Sequence, residues 1–358
     1  MRLKHSRLAS TRDSGSHVSD PIPSVSTRRQ HTLKVLVACA GFIVFVAVYS
    51  LLVKYNDDVL DISYPWISAV MTCVAWPINA YPMIRAGSAI QRPITRYVLS
   101  RHVRQMLRRY GILGALDGVH TLLQSVGLNY LPGSVYTLVK SSTLVFNLCL
   151  SRIIIGKRFT AHNVVSVVVV SSGIALMGLQ PDEAPDPVVP GIYTVALICT
   201  VGAAFVNALQ TVLAEVLMAT DSEGGHHQSR TKAQAVSEAS FYNGFISFAV
   251  VLPVGLVLGL HESWSGLPTM YWVASWGVAL VKQLGYICKF QVCQLVSALF
   301  AGIIDMLRRV VVILTCLVVF NEELTWQKLC SVTIVCLGFG VYMHGVAQTS
   351  KKKRVHVL

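Results

Sequence analysis

The chain has 358 residues, of which 53% are hydrophobic and 13% charged, and its formal net charge is +13. Soluble domains carry about twice that share of charge, which excludes a water-soluble globule and points to a chain that crosses a bilayer repeatedly. The nine cysteines lie in or beside apolar segments, which excludes a disulfide-stapled secreted domain, and the Cys288–Cys293 spacing fits membrane packing rather than zinc.

Residues 1–32 are polar, rich in Ser and Arg, and read as a disordered cytosolic tail without a cleavable signal. A transit peptide has similar composition, but Asp13 and Asp20 count against one. Apolar windows of spanning length, about 20 residues, then recur ten times along the sequence. The first five lie near Leu33–Val53, Tyr64–Ile84, Tyr110–Asn129, Gly133–Ile155 and His162–Leu179. The second five lie near Gly191–Met218, Ser240–Leu260, Pro268–Ile287, Ser297–Phe320 and Thr325–Val346. Asn129-Tyr130-Leu131-Pro132-Gly133 is a turn signal between the third and fourth. Residues 348–358 form a basic cytosolic tail.

With a cytosolic N-terminus, the segments on that side hold most of the 30 lysines and arginines. The opposite loops keep Lys54 and Lys328 and are otherwise acidic, with Asp57, Asp58, Asp61, Asp182, Glu183, Asp186, Glu262, Glu322 and Glu323. The positive-inside rule predicts that asymmetry for an even number of spans with both ends in the cytosol. Lys282 and Lys289 are counted among the cytosolic charges here. The basic surplus is thereby explained without a nucleic-acid partner.

A shift of 165 residues lays the fourth and fifth windows on the ninth and tenth. Phe159-Thr160 then meets Leu324-Thr325, Gly173 meets Gly338, and Lys157-Arg158 falls on Glu322-Glu323. The opposite loop charges fit halves inserted upside down relative to one another. The expected fold is an all-α membrane protein with ten transmembrane helices in a 5+5 inverted repeat, residues 33–180 and 181–347. Secondary transporters are built this way, with substrate bound at mid-membrane between the halves.

Charged residues inside the windows mark candidate sites. Asp305, Arg308 and Arg309 share one face of the ninth window, where a charge facing lipid costs at least about 2.5–3.5 kcal/mol. One aspartate does not neutralise two arginines, which suggests an anion-binding centre; the bland alternative is a self-neutralising pair that steadies a bundle. The repeat shift carries Lys140 onto Asp305, so the fourth window brings a charge to the same region unless its lysine snorkels. Ser141, Ser142 and Thr143 follow with hydroxyls suited to a polar cavity. Asp117 and His120, three apart in the third window, are either a proton-carrying pair or a mutually bonded packed pair. Glu215 reads as a helix-end residue reaching water. Asn207 and Gln210 read as helix–helix glue, Tyr242 and Asn243 as interfacial anchors, and Gly202-Ala203-Ala204, Gly338 and Gly340 as close-packing positions.

Leu307-Arg308-Arg309-Val310-Val311-Val312-Ile313 in the ninth window and Lys140 in the fourth resemble the drug/metabolite transporter superfamily, specifically its nucleotide-sugar and triose-phosphate translocator branch. Val139-Lys140-Ser141-Ser142 resembles a stretch in carriers of UDP-sugars. Phe241-Tyr242-Asn243-Gly244 resembles the Phe-Tyr-Asn-Asn motif that reads the base in GDP-mannose carriers, with Gly244 replacing its last residue. Asp305-Met306-Leu307-Arg308-Arg309 replaces those carriers' Gly-Ala-Leu-Asn-Lys, which argues against GDP-mannose.

The resemblance implies an antiporter exchanging a nucleotide sugar for nucleoside monophosphate across a Golgi or endoplasmic reticulum membrane, with plastid or vacuolar membranes open. Lys140, Arg308 and Arg309 would hold phosphate, Asp305 would orient the arginines, and Ser141, Tyr242 and Asn243 would complete the site. The expected partners are the bilayer and a phosphorylated solute, and a homodimer stays open. No phosphate-cradling loop, nucleophile with a base, or metal cluster is legible, so no enzyme activity, cofactor or metal is expected. The alternatives are a chloroquine-resistance-transporter-like exporter of amino acids, peptides or cations, and a non-transporting scaffold or receptor.

Overall fold

A lipid environment offers no water to exposed N–H and C=O groups, so a spanning chain satisfies them within helices. The computed structural model describes residues 25–56, 64–85, 101–131, 133–156, 159–178, 190–223, 232–259, 266–319 and 325–355, and no strand occurs among them. The helices are α1 (Val25–Lys54), α2 (Pro65–Val74), α3 (Ala80–Arg85), α4 (Arg101–Tyr130), α5 (Gly133–Ser141) and α6 (Thr143–Ile154), followed by α7 (Ala161–Gly178), α8 (Pro190–Glu223), α9 (Lys232–Leu258), α10 (Thr269–Leu295), α11 (Ala298–Val319) and α12 (Trp326–Val355). Every apolar window overlaps a helix or a broken helix. Four stretches, Arg29–Val53, Pro65–Arg85, Gly191–Met218 and Ala233–Leu258, are long and apolar enough to cross a membrane.

Several boundaries differ from the sequence reading. Helix α1 begins at Val25 and α12 runs to Val355, inside stretches expected as tails. The third apolar window opens at Tyr110, but α4 starts at Arg101; the eighth closes near Ile287, but α10 continues to Leu295. Apolar windows stop where charges begin, whereas a helix buried in a bundle continues through them. The acidic loops and the basic loop 86–100 lie outside the described residues.

Two windows are broken. A 3-10 turn, Trp76–Asn79, separates α2 from α3. There Asn79 Nδ2 donates to Ser240 O (3.2 Å) and Gln283 Oε1 (2.7 Å), and Trp76 meets Phe241 and Phe245 edge-on. A Cβ on Gly244 would lie 3.0 Å from Trp76 Cβ, so this glycine admits the turn against α9. The other break falls between α5 and α6, where Ser142 Oγ donates to Val139 O and Thr143 Oγ1 to Lys140 O, both at 2.7 Å. Hydroxyls that capture carbonyls in this way compete with the helical ladder.

Glycines set the close crossings. On α4, a Cβ at Gly114 would lie 2.6 Å from Ile246 Cβ and 2.7 Å from Asn243 O, and one at Gly118 would lie 2.8 Å from Val250 Cβ, so α9 packs into a small-residue stripe. Helices α7 and α12 meet through both repeat-related glycines. A Cβ at Gly173 would come within 3.0 Å of Ile334 and Val335, and one at Gly338 within 2.6 Å of Val170. Ser166 Oγ donates to Gly338 O at 2.7 Å across the same seam. Gly340, expected as a packing position, faces open space instead. Outward-facing Ile153, Ile198, Val257 and Trp326 are exposed apolar side chains suited to a lipid boundary.

Gly114→Ala therefore overpacks the α4–α9 seam and should cost about 1–3 kcal/mol. Gly111→Ala meets nothing within 4 Å and should gain about 0.5–1 kcal/mol from helix propensity. Unfolding midpoints of the two purified variants in one detergent check the opposite signs.

Candidate functional site

The helices enclose a cavity of about 780 Å³ lined from α1, α2, α4, α5, α6, α8, α10 and α11. It is displaced toward one end of the bundle. Its lining begins at Phe42 in α1 and at His120 in α4, and in α11 it runs from Ala301 to Val312. The opposite end, where α1, α4 and α11 begin, is filled by two apolar clusters. One contains Phe42, Leu144, Val292, Phe300, Ile303 and Tyr342, the other Met106, Tyr110, Met218, Val236 and Phe290. Glu215 closes that end further by accepting the Ala298 N–H at 2.8 Å, which caps α11.

The cavity is polar through a small set of buried groups. Arg308 Nε donates to Asp305 Oδ1 at 3.1 Å, and its Nη1 to Ser50 Oγ at 2.8 Å and Val46 O at 3.4 Å. The guanidinium thus ties α11 to α1, and Asp305 is committed to it. Arg309 lines the same space. Lys140 Nζ donates to Tyr136 OH at 2.6 Å and also to Gln124 Oε1. Lys289 Nζ donates to Asn207 Oδ1 (3.0 Å) and Gln210 Oε1 (3.4 Å), and Lys282 Nζ to Thr121 Oγ1 (3.3 Å) and Cys73 Sγ (3.6 Å). The ring of Tyr286 sits between these two lysines, 5.9 Å from Lys282 Nζ and 5.5 Å from Lys289 Nζ, and its hydroxyl donates to Asp117. Among the described residues, neither ring nitrogen of His120 has a hydrogen-bond partner, and Asn147 Oδ1 is likewise unpaired.

Of the residues singled out in the sequence, Lys140, Asp305, Arg308, Arg309 and His120 line the cavity. Asp117 stands behind Tyr286, so it bonds to that tyrosine and not to His120. Ser141 is buried but does not line the space, whereas Thr143 does. Tyr242 and Asn243 are neither interfacial nor in the cavity. Tyr242 stacks on Tyr110 at 6.5 Å, and Asn243 Oδ1 accepts from Gln210 Nε2 at 3.0 Å. Gln210 is helix glue as expected, but its neighbour Asn207 faces the cavity.

The sequence reading missed Lys282, Tyr286 and Lys289 as site residues and assigned both lysines to a cytosolic loop. Their spacing, four and then three, puts them on one face of an otherwise apolar helix, a signal hidden because the window was ended before Lys289. Cys288 and Cys293 belong to the apolar packing around α1 and α11.

An all-helical shell with apolar outer faces around a central, charge-lined cavity is the build of an integral membrane transporter of small solutes. Comparison narrows the class. A family profile for purine nucleobase transmembrane transport matches residues 34–353, and the chain belongs to that family. Similar proteins include Probable purine permease 11 of Arabidopsis thaliana, 28% identical over 294 residues covering 78% of this chain and 74% of that one. Probable purine permease 13 of the same plant is 28% identical over 292 residues, 78% of this chain and 76% of that one. A crystal structure of a protein of 12% identity superposes with a TM-score of 0.61, covering 86% of this chain and 95% of that chain, and shares its fold.

The family match overturns the resemblance to the nucleotide-sugar and triose-phosphate translocator branch. The expected phosphorylated substrate and monophosphate exchange rested on that resemblance and go with it, and nothing in the family match supports the Golgi or endoplasmic reticulum address. The structure shows why the short motifs misled. Phe241 and Gly244 seat the broken helix, Tyr242 and Asn243 pack against α4 and α8, and Arg308 is held by Asp305 and Ser50.

Arg308→Ala and Asp305→Asn each leave the other group short of its partner and should each lower stability by about 1–3 kcal/mol. The double change should cost well under their sum. A double-mutant cycle of unfolding midpoints in detergent checks the coupling.

Proposed function

We propose that the protein carries a purine nucleobase across a membrane by alternating access, without chemistry on the substrate. The observation that carries this reading is the cavity itself, in a chain whose family is defined by purine nucleobase transport. A purine is a flat ring with donors and acceptors at its edge and none on its faces. Asn and Gln amides match an adenine edge, and Lys and Arg match the O6/N7 edge of an oxopurine. Gln124, Asn147 and Asn207 supply the amides, Lys140, Lys289 and Arg309 the cations, and Tyr136 and Tyr286 flat surfaces for stacking. The volume falls within the range of about 300–1,000 Å³ usual for ligand pockets.

The reading takes ten spans in two inverted halves, residues 33–180 and 181–347, with both termini cytosolic. The packing supports it. Counting each broken helix as one span, α1 packs on α10 and α8 on α4; α4 packs on α9 and α10 on α2; α6 packs on α8 and α11 on α1. Each pairing has a counterpart five spans away. The fourth–ninth and fifth–tenth pairs, α6 with α11 and α7 with α12, map onto themselves. Such exchange is what a pseudo-twofold axis in the membrane plane requires. In this orientation the filled end is cytosolic and the cavity faces the other side, so the structure is the state that faces away from the cytosol. Organic cations fit poorly, because the lining is itself cationic.

Proteoliposomes holding the protein should take up labelled adenine, hypoxanthine or urate saturably, and an excess of the same unlabelled purine should abolish uptake. Equal uptake by empty liposomes for all three would sink the purine reading. Single cysteines at Arg104 and Arg152, in a background lacking native cysteines, should label from the cytosolic face. Ones at Tyr55 and Trp326 should label from the opposite face, and labelling of Arg104 and Trp326 from the same side would rule out the inverted halves.

A further inference from the structure

Three lysines in the cavity form no ion pair among the described residues. Among the described residues, the hydrogen bonds of Lys140, Lys282 and Lys289 all go to amide, hydroxyl or thiol groups. Asp305 is the one carboxylate on the lining of the described residues, and Arg308 occupies it. Asp117 accepts from the Tyr286 hydroxyl, so Asp117 and Asp305 together stand against Lys140, Lys282, Lys289, Arg308 and Arg309, and positive charge is left over. Burying an uncompensated charge is costly, and the cost is lowered by an opposite charge. His120, 8% exposed, and Asn147, 1% exposed, line the same space, and neither the His120 ring nitrogens nor Asn147 Oδ1 has a partner among the described residues. The missing partner is therefore an anion with hydrogen-bonding edges.

The placement of the cations indicates its shape. Lys140 comes from α5, and Lys282 and Lys289 come from α10, two turns or about 10 Å apart along the axis. A compact anionic group would draw cations to one point. These instead stand around a space that tyrosine rings flank, with Tyr136 5.2 Å from Lys140 Nζ and Tyr286 between the other two. We infer that the substrate of this transporter is an anionic oxopurine, a flat base whose negative charge is delocalised over carbonyl oxygens at its rim. Neutral aminopurines such as adenine are then the poorer ligands. This inference rests on the purine reading and adds the charge of the base.

The test is equilibrium binding to the full-length protein in lipid nanodiscs at neutral pH. Urate, a trioxopurine that has lost one ring proton at that pH, is the anionic probe, and adenine is the neutral one. Urate should bind at least about tenfold more tightly, because removing one hydrogen bond to a charged group costs about ten- to hundredfold in affinity. Lys289→Gln should weaken urate about ten- to hundredfold and adenine far less, and Lys289→Arg should restore much of the difference. Adenine binding as tightly as urate to the unaltered protein overturns the inference and leaves the purine reading standing. That comparison needs no variant, so misfolding of Lys289→Gln cannot blur it. A Lys289→Gln protein that folds and keeps the full urate-to-adenine ratio also overturns it. Binding of neither purine removes the purine reading and this inference together.

Discussion

Six charged side chains, Lys140, Lys282, Lys289, Asp305, Arg308 and Arg309, must be kept out of lipid although each sits within an apolar helix. A charge on the lipid face of a span is too costly to tolerate, so each of these helices turns its charged face inward. The cavity follows from that constraint. Where charges of opposite sign meet, as Arg308 and Asp305 do, they tie helices together. Where they do not, they leave a polar space that a solute can occupy. The apolar clusters at one end and the lipid-facing aliphatic surface are the complement of the same sorting.

The broken helices belong to this arrangement. Lys140 lies in the last turn of α5, and Thr143 and Ser142 take up the carbonyls freed beside it. The break lets α5 and α6 follow the cavity wall independently while keeping backbone groups satisfied, as irregular backbone at membrane depth requires. The break between α2 and α3 is fixed by Asn79, Trp76 and Gly244 against α9 and α10. Phe241-Tyr242-Asn243-Gly244 thus serves the scaffold. A segment that reads as substrate recognition by its letters is here a packing device, since its side chains point away from the cavity.

Helical character, repeated apolar windows, the charged ninth window and Lys140 were legible because each depends on local sequence: window length, hydropathy and helical spacing. The match of Gly173 with Gly338 was legible too, and both glycines lie in one helix–helix seam. Lys289 was misread because a window is ended by dilution with polar residues, and Lys282, inside the window near its end, was counted with the loop charges beside it. Inside a bundle the same lysines remain helical, because the neighbouring helices and not the lipid solvate them. Tyr286, Gln124 and Asn147 gave no local signal above ordinary helix polarity, and Asn207 read as helix–helix glue.

By itself the sequence determined that this is an all-helical membrane protein with charge buried at the level of the ninth window. Hydropathy and spacing are properties of a segment, and the bilayer acts on segments. Which buried polar groups face one another was decided only by tertiary structure. It paired Arg308 with Asp305 and Ser50, bonded Tyr286 to Asp117, left His120 without a hydrogen-bond partner among the described residues and brought α10's lysines to the same cavity as Lys140. Those relations depend on helix rotation and crossing, set by glycine contacts and side-chain volumes between segments distant in the chain. No window of one helix contains that information.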